Sequence, residues 1–172
     1  MADFTIAVNL TLIREGGFEN NPNDSGNWTG GKVGEGELKG TKYGISAAEF
    51  PTLDIVNLTE AEAQVIYKSK YWLVLYEAIK DQFVTNKLFD LGVLFGQGTA
   101  IKILQTVLQP QFSDVKVDEI FGPATLAAVN GADPHSLLLA YKTAFVSRAI
   151  QTGTQNPNDR PFVSGWIRRI NS

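Results

Sequence analysis

The sequence predicts a mainly α-helical protein with one small, irregular β element beside a polar, glycine-rich stretch. Three observations lead there. Apolar residues recur at helical spacing over most of the chain, whereas the period-two alternation of strands is scarce. No repeat period and no low-complexity linker interrupts the pattern. Between Arg14 and Ile45 the helical period lapses, and glycine, asparagine and aspartate take over. A chain of 172 residues buries roughly 70% of its unfolded surface, enough for one domain or for two small lobes sharing a core.

In chain order, Asp3 serves as N-cap to a helix whose inward positions are Phe4, Ala7, Val8 and Leu12, with Ile13 on the shoulder and Glu15 at the C-terminal end. Residues 27 to 40 are dense in glycine and charge and read as an exposed loop or a short, irregular hairpin. Ser46-Ala47-Ala48-Glu49 has capping-box spacing and predicts a short helix stopped by Pro51. Thr59-Glu60-Ala61-Glu62 repeats that signal and opens a longer helix leading into Tyr71-Trp72, with Tyr67, Tyr71 and Trp72 mainly as packing residues and one of them a candidate to line the cleft. The segment Phe83 to Phe95 is apolar on nearly all sides, a central helix closed by Gly96. Thr99 to Leu108 is amphipathic, Pro110 to Ile120 is a loop, and Pro123 starts a helix running to about Val129. Asp133-Pro134 opens the longest C-terminal helix, which Asn156-Pro157-Asn158-Asp159 breaks. Phe162 to Ile170 is a last helix with Trp166 and Ile167 inward and Arg168 and Arg169 outward.

Composition excludes several chemistries. The chain has no cysteine, which rules out disulfides, thiolate-zinc sites and a cysteine nucleophile. Its one histidine, His135, falls in the first turn of a predicted helix and reads as a surface residue; zinc hydrolases usually need two or more imidazoles. No metal and no cofactor is expected. A net charge of -3 supplies no basic field for nucleic acid. No apolar run approaches the roughly 20 residues that span a bilayer, and the N-terminus shows no signal-peptide pattern.

The chemistry concentrates in the glycine-rich stretch. A carboxylate at the end of a helix, followed by Gly16 and Gly17, is held by the helix while the backbone turns away and leaves room for a ligand. The negative end of the helix dipole favours the protonated form that a general acid requires, although pairing with Arg14 or another cation is the plainer role for such a glutamate. Asp24 lies in a turn-forming run and is either a turn residue or a second carboxylate facing Glu15. With the hydroxyl of Thr41, two carboxylates around a cleft are the minimum equipment for acid-base hydrolysis. Trp28 either stacks on a sugar face or anchors its loop from beneath.

Arg14-Glu15-Gly16-Gly17-Phe18, then Asn21-Pro22 and Asp24, then Thr41 and Tyr43-Gly44-Ile45 resemble the N-terminal motif of glycoside hydrolase family 108. These are muramidases found as phage endolysins and as secretion-associated cell-wall hydrolases. Further matches follow in order: Ile66-Tyr67 with Tyr71-Trp72, Phe89-Asp90, Ala100-Ile101 with Leu104-Gln105, Val117-Asp118 with Phe121-Gly122-Pro123, and Gly165-Trp166-Ile167 with Arg169. The resemblance implies a lysozyme-like helical fold, with residues 1 to 95 as a catalytic lobe and residues 96 to 172 as a peptidoglycan-binding-like lobe, packed as one continuous unit. It implies Glu15 as catalytic acid, Asp24 and Thr41 as partners that hold the attacking water, and Tyr43, Trp28 and Asn21 as substrate-binding residues. Two departures from the family pattern stand out. Residues 27 to 40 lengthen the stretch between Asp24 and Thr41, which makes Thr29 a rival for the threonine role, and Leu94-Phe95-Gly96 stands where an asparagine-containing motif is common.

The implied partner is the glycan strand of bacterial peptidoglycan, cleaved at the β-1,4 bond between N-acetylmuramic acid and N-acetylglucosamine, with inversion. Inversion requires carboxyls roughly 6.5 to 9.5 Å apart. A monomer with no membrane insertion, made in the cytoplasm and reaching the wall through a holin or an export system, is the matching expectation. The alternatives are a non-catalytic peptidoglycan-binding module and a muramidase that helps protein secretion.

Overall fold

Helix α1 spans Phe4–Glu15 in the computed structural model, which describes residues 1–172. Asp3 caps it, its Oδ1 accepting from the Thr5 amide at 2.7 Å. Ala7, Val8, Thr11 and Leu12 form its buried stripe, while Ile13 is 79% exposed. Gly16, at φ +79°, ends the helix in the left-handed conformation that glycine adopts at least cost. Six more helices follow: α2 (Glu60–Tyr71), α3 (Gln82–Phe95), α4 (Gln97–Leu108), α5 (Pro123–Gly131), α6 (Pro134–Gln155) and α7 (Val163–Asn171). The only sheet is a hairpin of β1 (Thr41–Lys42) and β2 (Ile45–Ser46). This is the mainly α, lysozyme-like architecture that the sequence predicts.

The chain divides into two compact units, residues 8–70 and residues 1–7 with 71–172. In the first, β1 and β2 pair antiparallel with Thr41 opposite Ser46 and Lys42 opposite Ile45. Tyr43 and Gly44 form the two-residue turn between them, at φ +53° and +71°. Positive φ at both positions is the type I′ geometry that matches strand twist. Thr59 and Glu62 form a reciprocal capping box: the Thr59 amide reaches Glu62 Oε2 at 2.8 Å, and the Glu62 amide reaches Thr59 Oγ1 at 3.3 Å. The Thr59 amide and hydroxyl together hold the Glu62 carboxyl below its usual range.

The helix expected from Ser46-Ala47-Ala48-Glu49 is absent. Ser46 belongs to β2, and its pairing with Thr41 keeps its backbone extended. What remains is a turn, with the Glu49 and Phe50 amides both on the Ser46 carbonyl at 3.2 and 3.0 Å, and Pro51 denies any continuation.

In the second unit α3 packs on α4 and α6, and α6 packs on α7. Asp81 caps α3 through the Val84 amide at 2.8 Å, and Asp133 caps α6 through the Ser136 amide at 2.9 Å. Gly96, at φ +87°, ends α3 and stands directly before α4. Burial on α3 runs from Val84 to Gly92 with the exception of Asn86, but Phe83 is 72% exposed, so the helix is less uniformly buried than its apolar sequence suggests. Phe4, Trp72, Tyr76, Phe89 and Phe121 meet edge to face, with ring centroids 5.0 to 5.9 Å apart. Burial raises the Tyr76 phenol well above its usual range. The loop before α5 is fastened by the buried Gln105, whose Oε1 accepts from the Asp118 and Glu119 amides and whose Nε2 donates to Asp118 Oδ1 at 2.8 Å.

Arg169 does not point outward. Its Nη2 lies 3.0 Å and its Nε 3.2 Å from Oδ1 of Asp90, which is 1% exposed. A buried carboxylate on α3 requires a cation, and α7 carries Arg169 to it. No helix is long and apolar enough to cross a membrane.

Candidate active site

Glu15 continues the buried stripe of α1: it lies one turn beyond Thr11 and Leu12 and two beyond Val8. That placement carries its side chain inward, where it is half-buried and its Oε1 is closed off from solvent. The other oxygen lies against the backbone of Gly44. A Cβ built on Gly44 would stand 2.7 Å from Glu15 Oε2 and 2.8 Å from the Tyr67 hydroxyl, so the space beside the carboxylate exists only because residue 44 has no side chain. The Tyr67 hydroxyl donates to the Tyr43 carbonyl at 2.8 Å and fixes the turn from the α2 side.

Thr41 sits on β1 of the same hairpin, its amide and carbonyl each paired with Glu19 at 2.8 Å. Its hydroxyl donates to Oδ1 of Asn27 at 2.7 Å. Asn27 is fully buried, and its Nδ2 donates to Glu19 Oε2 at 2.8 Å and to the Asn21 carbonyl at 3.1 Å. Asp24 is exposed and caps a single 3-10 turn, Ser25–Asn27: its Oδ1 accepts from the Gly26 amide at 2.8 Å, which leaves Oδ2 uncommitted. Its carbonyl accepts from the Asn27 amide at 3.2 Å. Asn27 therefore ties Asp24 to Thr41, and the hairpin that carries Thr41 also carries the Gly44 shelf beneath Glu15.

Residues 28 to 39 are a pinched-off arm. The Lys39 and Gly40 amides both donate to the Asn27 carbonyl at 3.0 and 3.1 Å, closing the base, and Trp28 bridges Leu38 just beyond it. Asp24 and Thr41 are thus joined across the arm as though by a short turn. Thr29 spends its hydroxyl inside the arm, accepting from the Glu37 amide at 2.9 Å. Trp28 is half-buried, its indole N–H donating to the Pro22 carbonyl at 2.9 Å, so the ring is tethered to the turn before Asp24. Asn21 is exposed, its Oδ1 accepting from the Asn23 amide at 3.0 Å.

A groove of about 520 Å³ opens along the flank of α1. Gly16 and Gly17 form one end, Leu12, Ile13 and Tyr43 give it apolar walls, and Asn9 and Glu60 supply polar edges. Glu15 is not part of its wall; the groove meets the residues that follow Glu15 and precede Gly44. The volume falls in the range of small-ligand sites, and the mix of apolar walls and polar edges suits a sugar ring.

The family model described as glycosyl hydrolase 108 matches residues 8–96, just over half of the chain. The chain belongs to the glycosyl hydrolase 108 family. A second family, described as a predicted peptidoglycan domain, matches residues 99–171. A glycosyl hydrolase region followed by a peptidoglycan domain makes this chain a peptidoglycan hydrolase, a glycoside hydrolase with peptidoglycan as substrate. Among solved structures, that of Brucella abortus SagA matches at 23% identity with a TM-score of 0.64, covering 97% of this chain and 92% of that one; the likeness shows the fold. Curated proteins yield no match.

In this glycosyl hydrolase 108 chain, sequence reasoning passed over Asn27 and Glu19. Asn27 stands in a run of glycine, serine and aspartate and reads as one more turn residue; the contacts that distinguish it lie 8 and 14 residues away. Tyr67 reads from its helical spacing as core, which its burial bears out, but its bond to the Tyr43 carbonyl spans 24 residues and leaves no local trace. Gly44 is the most vulnerable of the supporting positions. Gly44→Ala forces a side chain to φ +71° at roughly 1–2 kcal/mol and drives a methyl into the Glu15 carboxylate. The expected result is a fall in hydrolysis approaching 100-fold together with a lower thermal midpoint, read by reducing-end release and by circular dichroism.

Proposed function

We propose that the chain is an N-acetylmuramidase that cleaves the β-1,4 bond between N-acetylmuramic acid and N-acetylglucosamine by general acid/base catalysis. The observation that carries this reading is the Glu15 carboxylate resting on a glycine shelf, with Thr41 on the same hairpin and Asp24 tied to Thr41 through Asn27. In its protonated form Glu15 donates to the leaving glycosidic oxygen. Asp24, through its uncommitted Oδ2, takes a proton from the water that attacks the opposite face of the sugar, and the Thr41 oxygen helps hold that water. Tyr43 offers its ring to a sugar in the groove. The region that matches the predicted peptidoglycan domain would hold the enzyme on the wall, and the catalytic part would act as a monomer.

The test is the identity of the new chain ends. Digested peptidoglycan is reduced with borohydride and hydrolysed. Reduced muramic acid among the products supports the proposal, and reduced glucosamine in its place overturns it. Proton NMR of the first-formed anomer reports stereochemistry: the α-anomer is expected for inversion, and the β-anomer rules inversion out.

A further inference from the structure

We propose that Asn27 is a positioning residue that turns Thr41 into an obligate hydrogen-bond acceptor, and that Glu19 locks the Asn27 amide in the orientation this requires. The inference rests on the proposed role of Thr41 in holding the attacking water.

The argument is a count of protons. Asn27 is fully buried, so its amide must find every partner inside the protein. Its Nδ2 carries two hydrogens and faces two groups that can only accept, the Glu19 carboxylate at 2.8 Å and the Asn21 carbonyl at 3.1 Å. A flipped amide would set an oxygen against both, so the flip is decided by the network. Oδ1 must then face Thr41, and between these two oxygens at 2.7 Å the only hydrogen is that of the Thr41 hydroxyl. Thr41 gives its one proton inward and presents only lone pairs outward.

That polarity matters for hydrolysis. A water held by an acceptor points an O–H at it and keeps its own lone pair free for the anomeric carbon. A threonine free to rotate could donate to the water and occupy the electron pair that has to attack. The backbone reinforces the arrangement: Asn27 is pinned at its carbonyl by the Lys39 and Gly40 amides, and Thr41 is paired on both sides with Glu19, whose Oε1 also accepts from the Asn21 amide at 2.8 Å.

The test is an exchange of donor and acceptor. Asn27→Asp puts an acceptor where the two amide hydrogens were, against the Glu19 carboxylate, and should lower kcat by roughly 10- to 100-fold with KM little changed. Glu19→Gln alone should cost less than Asn27→Asp, because its one side-chain oxygen still accepts from Asn27 and only the exposed bond from the Asn21 amide is lost. Combining the two restores a donor opposite the new carboxylate on the Glu19 side, and part of the lost kcat should return, the Asn21 carbonyl alone staying without its donor. Folded fraction and thermal midpoint are followed for every variant. Rescue of kcat in the double variant supports the proposal. Normal kcat in Asn27→Asp, alongside a damaged Thr41→Ala, overturns it and leaves the role of Thr41 standing. Loss of kcat that only tracks loss of folded protein, without rescue, also overturns it. An undamaged Thr41→Ala removes the reading of Thr41 itself.

Discussion

A Glu15→Gln variant is expected to lose about 10²- to 10⁴-fold in reducing-end release from isolated peptidoglycan, while its thermal midpoint stays close to that of the parent. Glutamine has the same shape, so it can rest on the Gly44 shelf without a clash. It can neither give up nor take a proton at the glycosidic oxygen, and the rate term removed is the one that general acid catalysis supplies. The stability half of the prediction discriminates. If Glu15 were mainly a structural ion-pair residue, the amide would lower the midpoint and leave the rate per folded molecule unchanged. A Glu15→Gln protein that cleaves at the parental rate contradicts the assignment.

The second large effect belongs to stability. Arg169→Ala should destabilise the unit formed by residues 1–7 and 71–172 by about 3–5 kcal/mol, the usual cost of removing one partner of a buried ion pair. Asp90 is 1% exposed, and the next cation, Lys87 Nζ, stands 3.9 Å from its Oδ2, with a bond to the Arg169 carbonyl at 3.0 Å. Urea unfolding would measure the loss as a lower midpoint at unchanged slope. Arg168→Ala, at an exposed neighbouring position on α7, is the control and should stay within about 0.5 kcal/mol of the parent. Equal stability of the two variants would refute the claim that Arg169 serves the interior.

Those two cases mark where the sequence could be read and where it could not. The placement of Glu15 at the end of α1 was legible because its signal is local: a helical stripe, a terminal acid and two glycines in a row. The caps at Asp3, Asp133 and the Thr59–Glu62 pair were legible for the same reason, each acting within three residues of itself. Ser46-Ala47-Ala48-Glu49 carries the same local signature as Thr59-Glu60-Ala61-Glu62, yet forms only a turn, because strand pairing with Thr41 took Ser46 first. Arg169 looked like a solvated end of an amphipathic helix, since its partner lies 79 residues away. The support of the site has the same character. Gly44 under Glu15, Tyr67 on Tyr43 and Asn27 beneath Thr41 are joined only once the chain has folded back, and none leaves a periodic trace.

The closed base of the arm at residues 28 to 39 has a practical consequence. Because Asn27 and Gly40 are already fastened together, the entropy of whatever lies between them is settled locally, and a longer excursion adds only slowly to that cost. Insertions at this point should leave the β1–β2 hairpin in place, and an epitope, a fluorophore tag or a targeting peptide grafted between Thr29 and Glu37 would travel on a working enzyme.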